Sequence, residues 1–297
     1  MDTPIIFIIF NRPDTTSRVF EEIRKVRPRR LLVISDGPRD NCSGDFEKCQ
    51  STRQILDKVD WECDVFRNFS DINLGCKKRV SSGLDWAFDI VDEAIILEDD
   101  CLPHPDFFAF CELLLCRYRE DKRIAAISGQ NVQFGRQRTS HSYYFSRYNH
   151  CWGWATWKRA WKNFDADMKL WPLLKEGNWL DDILGNKIAS RYWFKTFQDT
   201  YDGKRNSWAF CWTFSCWIQN QLSILSNVNM VSNIGYGSDG THTTQSKSKF
   251  SEIPALGASF PLNHPPFIVR DCLADRYTQA TLYRQPFRER INPLMYF

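Results

Sequence analysis

Five short apolar runs punctuate the first 130 residues, and helical patterns fill the spaces between them. Pro4–Phe10, Arg30–Ser35, Glu62–Phe66, Glu93–Leu97 and Ile124–Ser128 are each rich in Ile, Val, Leu or Phe and bounded by polar or Pro/Gly residues, which predicts strands. Between the first two, Val19, Phe20, Ile23 and Val26 recur at helical spacing behind Asp14 or Thr15, either of which can cap a helix. Further helices are predicted over Phe46–Val59, Lys77–Val91 and Asp106–Arg119. Strands alternating with helices imply an α/β fold, a mostly parallel central sheet with helices on both faces, whose ligand sits beyond the carboxyl ends of the strands. Chemistry is therefore expected in the loops that follow the strands.

The pattern changes near residue 130. Residues 141–217 are dense in Trp, Tyr and Phe, Pro172 and Gly177 interrupt them, and the polar stretch Gly235–Lys249 reads as a loop. Ten of the twelve Trp lie between Trp152 and Trp217, and Trp154, Trp157 and Trp161 recur at helical spacing, the pattern of a core-facing helix stripe or of a ligand platform. Six of the thirteen Pro follow position 250. One compact unit is expected, with a half over 1–130, an aromatic-rich C-terminal half over 131–250 and an extension over 251–297.

Composition narrows the class. With 43% hydrophobic and 25% charged residues and a formal net charge of +3, the 297-residue chain is neither disordered nor built as a dedicated nucleic-acid binder. The apolar run Ile5–Phe10 is too short for a signal core or a membrane span, and no other segment approaches 18 apolar residues. Eleven Cys are scattered without one CxxC pair, which points to reduced thiols and a cytoplasmic protein.

The end of the first run, Asn11-Arg12-Pro13-Asp14, lacks the glycine-rich turn of a dinucleotide site, and no GxxxxGK[ST] sequence is present. In Ile95-Ile96-Leu97-Glu98-Asp99-Asp100, a strand delivers three acidic residues to its carboxyl end. Alternation would place Glu98 and Asp100 on one side and Asp99 on the other. Carboxylate oxygens suit Mg²⁺ or Mn²⁺, which commonly bridge one or two carboxylates to ligand phosphates, so a metal–diphosphate site is the functional reading. Asp36, in Ser35-Asp36-Gly37-Pro38, could accept from a base N–H, and Lys77 to Arg79, behind Asn73-Leu74-Gly75-Cys76, could neutralise phosphates.

The ordered set Phe10-Asn11-Arg12-Pro13, Ser35-Asp36-Gly37-Pro38-Arg39, Asn73-Leu74-Gly75-Cys76, Leu97-Glu98-Asp99-Asp100-Cys101, Cys151-Trp152-Gly153-Trp154-Ala155-Thr156-Trp157 and Asn233-Ile234-Gly235-Tyr236-Gly237 resembles bacterial sugar-nucleotide-dependent glycosyltransferases of the GT-A fold, related to glycosyltransferase family 2. Glu98-Asp99-Asp100, with Pro105-Asp106-Phe107-Phe108 behind it, is also similar to the variant DxD motif of N-acetylglucosaminyltransferase I. The resemblance spans roughly residues 4 to 245. It implies transfer of a sugar from a nucleotide diphosphate donor to an acceptor hydroxyl, with Mn²⁺ or Mg²⁺, in bacterial surface glycan assembly. Asp100 is then the direct metal ligand and His242 a second one. Glu98 and Asp99 face the nucleotide sugar, Phe10, Asn11, Arg12, Asp36, Asn73 and Lys77 line the nucleoside pocket, and Trp152 and Gly153 lie against donor or acceptor. Residues 1–130 become the nucleotide-sugar and metal half, and 131–250 the acceptor side.

The transfer is expected to be inverting, which needs a carboxylate to take the acceptor proton. Asn206-Ser207-Trp208-Ala209-Phe210-Cys211-Trp212 looks like a segment that reads Asp-Ser-Trp-Asp-Tyr-Gln-Trp in related sequences, so Ala209 stands where the attractive base would be. Asp182 and Asp181, in Trp179-Leu180-Asp181-Asp182, are the remaining catalytic candidates, with Asp202 behind them. A sugar-1-phosphate nucleotidyltransferase and a non-catalytic glycan-binding protein stay open as alternatives. The partners implied are a nucleotide sugar and a glycan or lipid-linked acceptor, with no nucleic acid. The Arg-rich tail, Arg270, Arg276, Arg284, Arg288 and Arg290, fits either a solvated helix face or peripheral contact with anionic lipid.

Overall fold

A computed structural model describes residues 1–236, 250 and 253–283. Its first half runs β1 (Ile5–Ile9), α1 (Pro13–Val26), β2 (Arg30–Ser35), α2 (Asp45–Gln54), β3 (Asp64–Phe69), α3 (Cys76–Ile90), β4 (Glu93–Glu98), β5 (Cys101–Pro103), α4 (Asp106–Arg117) and β6 (Ile124–Ser128). The second half adds β7 (Tyr143–Ser146), β8 (Trp154–Trp157), the short α5 (Lys158–Trp161), α6 (Trp171–Leu174) and α7 (Trp179–Leu184), then α8 (Lys187–Tyr201), α9 (Trp208–Ile218), β9 (Leu222–Ser226), β10 (Val231–Asn233) and α10 (Cys272–Thr281).

Eight strands form one sheet in the order β3-β2-β1-β4-β8-β6-β9-β7, and β10 pairs with β5 in a separate ribbon. β8 and β7 run against the other six, so the sheet is mainly parallel, as the alternation of strands and helices predicts. Parallel strands need crossover helices, and those helices cover both faces, which is why every residue of β1 is buried. Ile5, Phe7 and Ile9 pack with α1 and with Phe107, Phe110 and Leu114 of α4 on one face. Ile6 and Ile8 pack with Val80, Leu84 and Phe88 of α3 and with α9 on the other.

The tryptophans follow from the same geometry. Trp154 and Trp157 lie in strand β8, not on a helix stripe; an odd separation along a strand sends them to opposite faces. Trp157 joins the α4 side, whereas Trp154, Trp161, Trp171, Trp193, Trp208, Trp212 and Trp217 fill the α8–α9 side. Most of the Trp-rich segment thus forms the core of one face. α1 begins two or three residues earlier than the capping positions suggest, with Pro13 in its first turn and Arg12 at its N-cap. No helix among the described residues is long and apolar enough to cross a membrane.

Candidate active site

The carboxyl ends of β1, β2 and β4 open into one cavity of about 230 Å³. Its walls include Phe10 and Arg12 after β1, Asp36 and Arg39 after β2, Asn73, Gly75 and Cys76 ahead of α3, Glu98, Asp99 and Asp100 at the end of β4, Trp152, and Asn233 of β10. Among the residues singled out in the sequence, the structure brings Phe10, Arg12, Asp36, Asn73, Arg79, Glu98, Asp99, Asp100 and Trp152 to this cavity.

Other candidates lie elsewhere. Asn11 donates to Asp45 Oδ1 at 2.7 Å and is absent from the lining. Lys77, on the first turn of α3, is absent from the lining as well. Gly153 has φ +65°, and the space beside it is filled by the Val231 side chain rather than by a ligand cleft. Asp181 and Asp182 sit on α7, outside the cavity lining. His242, Gly237 and the tail residues Arg284, Arg288 and Arg290 lie outside the described residues.

Strand alternation does not extend through the acidic triplet, because β4 ends at Glu98 and Asp99–Asp100 form a turn. All three carboxylates therefore line the same cavity, rather than two on one side and one on the other. Asp99 Oδ2 accepts from the Phe10 N–H at 3.0 Å, and Asp100 Oδ2 accepts from Arg12 Nη1 at 2.8 Å. Arg12 Nη1 also stands 3.7 Å from Asp99 Oδ1. The Cys101 thiol approaches Asp100 Oδ1 at 3.5 Å. Burial, and then the neighbouring carboxylates, push Glu98 and Asp99 well above the usual carboxylate range. Burial works against the Arg12 charge, but Asp99 and Asp100 outweigh it and hold the guanidinium above its ordinary value.

Asp36 has a different task from base reading. Its Oδ1 accepts from the Gly37 and Leu74 N–H groups, each at 2.9 Å. Its Oδ2 accepts from the Gly75 N–H at 2.9 Å and from Asn73 Nδ2 at 3.2 Å. Four donors occupy the carboxylate, so Asp36 ties the β3–α3 loop to the end of β2. Arg79, which also lines the cavity, donates to the Ser35 carbonyl at 3.1 Å and to Asn68, bracing β2 and β3. Sequence reasoning did not single out Arg39, Cys76 and Asn233 as lining residues. Arg39 lies over the Phe10 ring at 5.6 Å and pairs with Asp45, a placement signalled only by its position in the motif after β2.

Hard carboxylate oxygens in a partly buried wall match the chemistry of Mg²⁺ or Mn²⁺, whose charge would relieve the repulsion among Glu98, Asp99 and Asp100. Among the described residues, no three His, Cys, Asp or Glu groups are arranged to hold a metal ion between them. Mg²⁺ commonly takes one or two carboxylates and completes its shell with phosphate and water, which Asp100 and its neighbours could serve.

No protein-family model matches the sequence, and no curated protein does. Solved structures similar to this chain include a mannosyltransferase from Pyrobaculum calidifontis in complex with GDP-Man and Mn²⁺, 14% identical with TM-score 0.37, over 52% of this chain and 45% of that one. They also include an apo UDP-glucose pyrophosphorylase, 8% identical with TM-score 0.38, over 76% and 90%. Mouse xyloside xylosyltransferase 1 is 11% identical with TM-score 0.34, over 73% and 81%. This chain thus spans less than half the length of the mannosyltransferase. At such scores the likenesses assign no chemistry.

Proposed function

We propose that the chain is a nucleotide-sugar-dependent glycosyltransferase that moves a sugar from a nucleoside diphosphate donor to an acceptor hydroxyl. The observation that carries this reading is the meeting, in one cavity at the carboxyl ends of parallel strands, of a polar and aromatic corner with an acidic turn. Phe10, Arg39 and Asn73 supply the corner for a base and ribose, and Glu98, Asp99 and Asp100 supply the wall for a cation-bound diphosphate. A divalent cation held by Asp100 would stabilise the negative charge that gathers on the departing diphosphate.

The chain's own groups prepare this step. The Phe10 N–H and Arg12 hold Asp99 and Asp100 in place, and Asp36 fixes the loop that carries Asn73 and Gly75. Trp152, edge-on to Tyr236 at 5.9 Å, offers an apolar wall of the kind that packs on sugar C–H faces and excludes water. Asp181 and Asp182 stay outside this reading, since neither lines the cavity. The sugar-1-phosphate nucleotidyltransferase alternative lacks a glycine-rich basic loop after β1, where Asn11-Arg12-Pro13 leads directly into α1. Acceptors of the glycan or lipid-linked kind, and a place in surface glycan assembly, belong to the same proposal.

A thermal-shift panel of UDP, GDP, TDP and CMP with and without Mn²⁺ tests it. One nucleotide with Mn²⁺ is expected to raise the melting temperature, and Asp100→Ala to abolish the rise. No shift with any of the four would overturn the reading.

A further inference from the structure

We propose that Arg12 is a displaceable counter-ion: it neutralises Asp100 until a divalent cation and a nucleoside diphosphate together claim that carboxylate, and it then turns to the diphosphate. This inference rests on the donor-site reading above and concerns how that site loads.

The geometry places Arg12 in direct competition with a cation. Arg12 Nη1 lies 2.8 Å from Asp100 Oδ2 and 3.7 Å from Asp99 Oδ1, and all three side chains are largely buried. A dication on Asp100 Oδ2 would share one oxygen with the guanidinium, and like charges a few ångströms apart in a partly buried site repel strongly. The backbone beyond β10 closes over the pair from one side. The Ile234 N–H donates to the Asp100 carbonyl at 2.8 Å, and a Cβ built on Gly235 would stand 2.2 Å from Asp100 Oδ2 and 2.8 Å from Arg12 Nη1. The Asp100 main chain is therefore held by the exit of β10, while Arg12 sits at the N-cap of α1 on a long unbranched stem that lines the same cavity.

A cation arriving alone must break the ion pair and leaves the guanidinium without that partner. A nucleoside diphosphate offers it another, because guanidinium groups take phosphate oxygens in a bidentate fork. Cation and nucleotide should then bind with positive coupling, each raising the affinity for the other by the same factor.

Mn²⁺ binding to the full chain, followed by loss of the free-ion electron paramagnetic resonance signal, tests the role. Without nucleotide, Arg12→Gln is expected to bind Mn²⁺ roughly tenfold tighter than wild type or better, as removal of a competing charge at this distance implies. Arg12→Lys, which keeps the charge, should bind it as weakly as wild type. With UDP or GDP, the gain in Mn²⁺ affinity should be large for wild type and clearly smaller for Arg12→Gln. Arg12→Met, which keeps the apolar stem, serves the same comparison where the glutamine variant does not fold. Equal or weaker Mn²⁺ binding by the uncharged variants, with nucleotide coupling intact, would overturn the counter-ion role and leave the donor site standing. No Mn²⁺ binding by any variant, with or without nucleotide, would overturn both.

Discussion

Gly235→Ala is expected to injure the acidic turn without touching any ligand directly. The new methyl would lie 2.2 Å from Asp100 Oδ2, 2.6 Å from Asp100 Cβ and 2.8 Å from Arg12 Nη1. A rotamer change at Asp100 cannot relieve the contact with its own Cβ, so the turn or the strand exit must move. Overpacking of this kind costs about 1–3 kcal/mol. Weakening the largely buried Arg12–Asp100 hydrogen bond adds about 1–2 kcal/mol, and the reduced freedom of the unfolded chain returns about 0.4–1 kcal/mol. The net loss is about 1–4.5 kcal/mol, centred near 3, readable as a lower midpoint in urea with unchanged slope. Gly177→Ala is the control, because a Cβ there meets nothing nearer than the Leu174 carbonyl at 3.5 Å and the glycine carries no positive φ. It should be neutral or slightly stabilising. Gly235→Ala should also lose the melting shift given by Mn²⁺ and nucleotide. A Gly235→Ala protein as stable as the control, with a full nucleotide shift, would refute the close packing of Gly235 on the Arg12–Asp100 pair.

Asp36→Asn should weaken every nucleotide that binds by a similar factor rather than change the preferred base, because it loosens the Asn73–Gly75 loop; a switch in base preference by calorimetry would contradict that role. His150 is buried, its Nε2 has no hydrogen-bond partner among the described residues, and burial lowers its pKa to about 4. Its contribution to stability is whole above the unfolded value near 6.5 and is lost as pH falls from there toward 4, up to about 3 kcal/mol. His150→Gln should flatten the urea-midpoint profile over that window, and an unchanged profile would count against it. Asp275 of α10 accepts from Ser146 Oγ at 2.5 Å and Arg147 Nε at 3.1 Å in a buried cluster. Asp275→Asn leaves Arg147 uncompensated and should cost about 3–5 kcal/mol in urea unfolding, against less than about 1 kcal/mol if the cluster contributes little.

Much of the fold was legible because local pattern and tertiary demand agree. β2 and β6 occupy the bounds their apolar runs predict, since both are buried through nearly their whole length. β3 begins at Asp64 rather than Glu62 and continues to Phe69. This strand is half-exposed, so pairing of Arg30 through Ser35 with Asp64 through Phe69 sets its bounds, not hydrophobicity. A spacing of three fits a helix turn and also a strand seen from both faces, which is why Trp154 and Trp157 looked helical. At the site, the acidic triplet and the Asn73 loop could be read from residue types after strands. The Arg12–Asp100 pair could not, for 88 positions separate its members and only the β1–β4 register brings them together. Nor could the engagement of Asp36, because its donors are mostly backbone amides, which every residue but proline possesses.

The central claim is tested most directly by the phosphorus products that the purified chain makes from a panel of nucleotide sugars with Mn²⁺, followed by ³¹P resonance or mass spectrometry. Release of a nucleoside diphosphate from one donor, by slow hydrolysis or on addition of a glycan or lipid-linked acceptor, and its loss in Asp100→Ala, is the expected result. No nucleoside diphosphate from any donor, together with pyrophosphate formed from a nucleoside triphosphate and a sugar phosphate, would contradict the account.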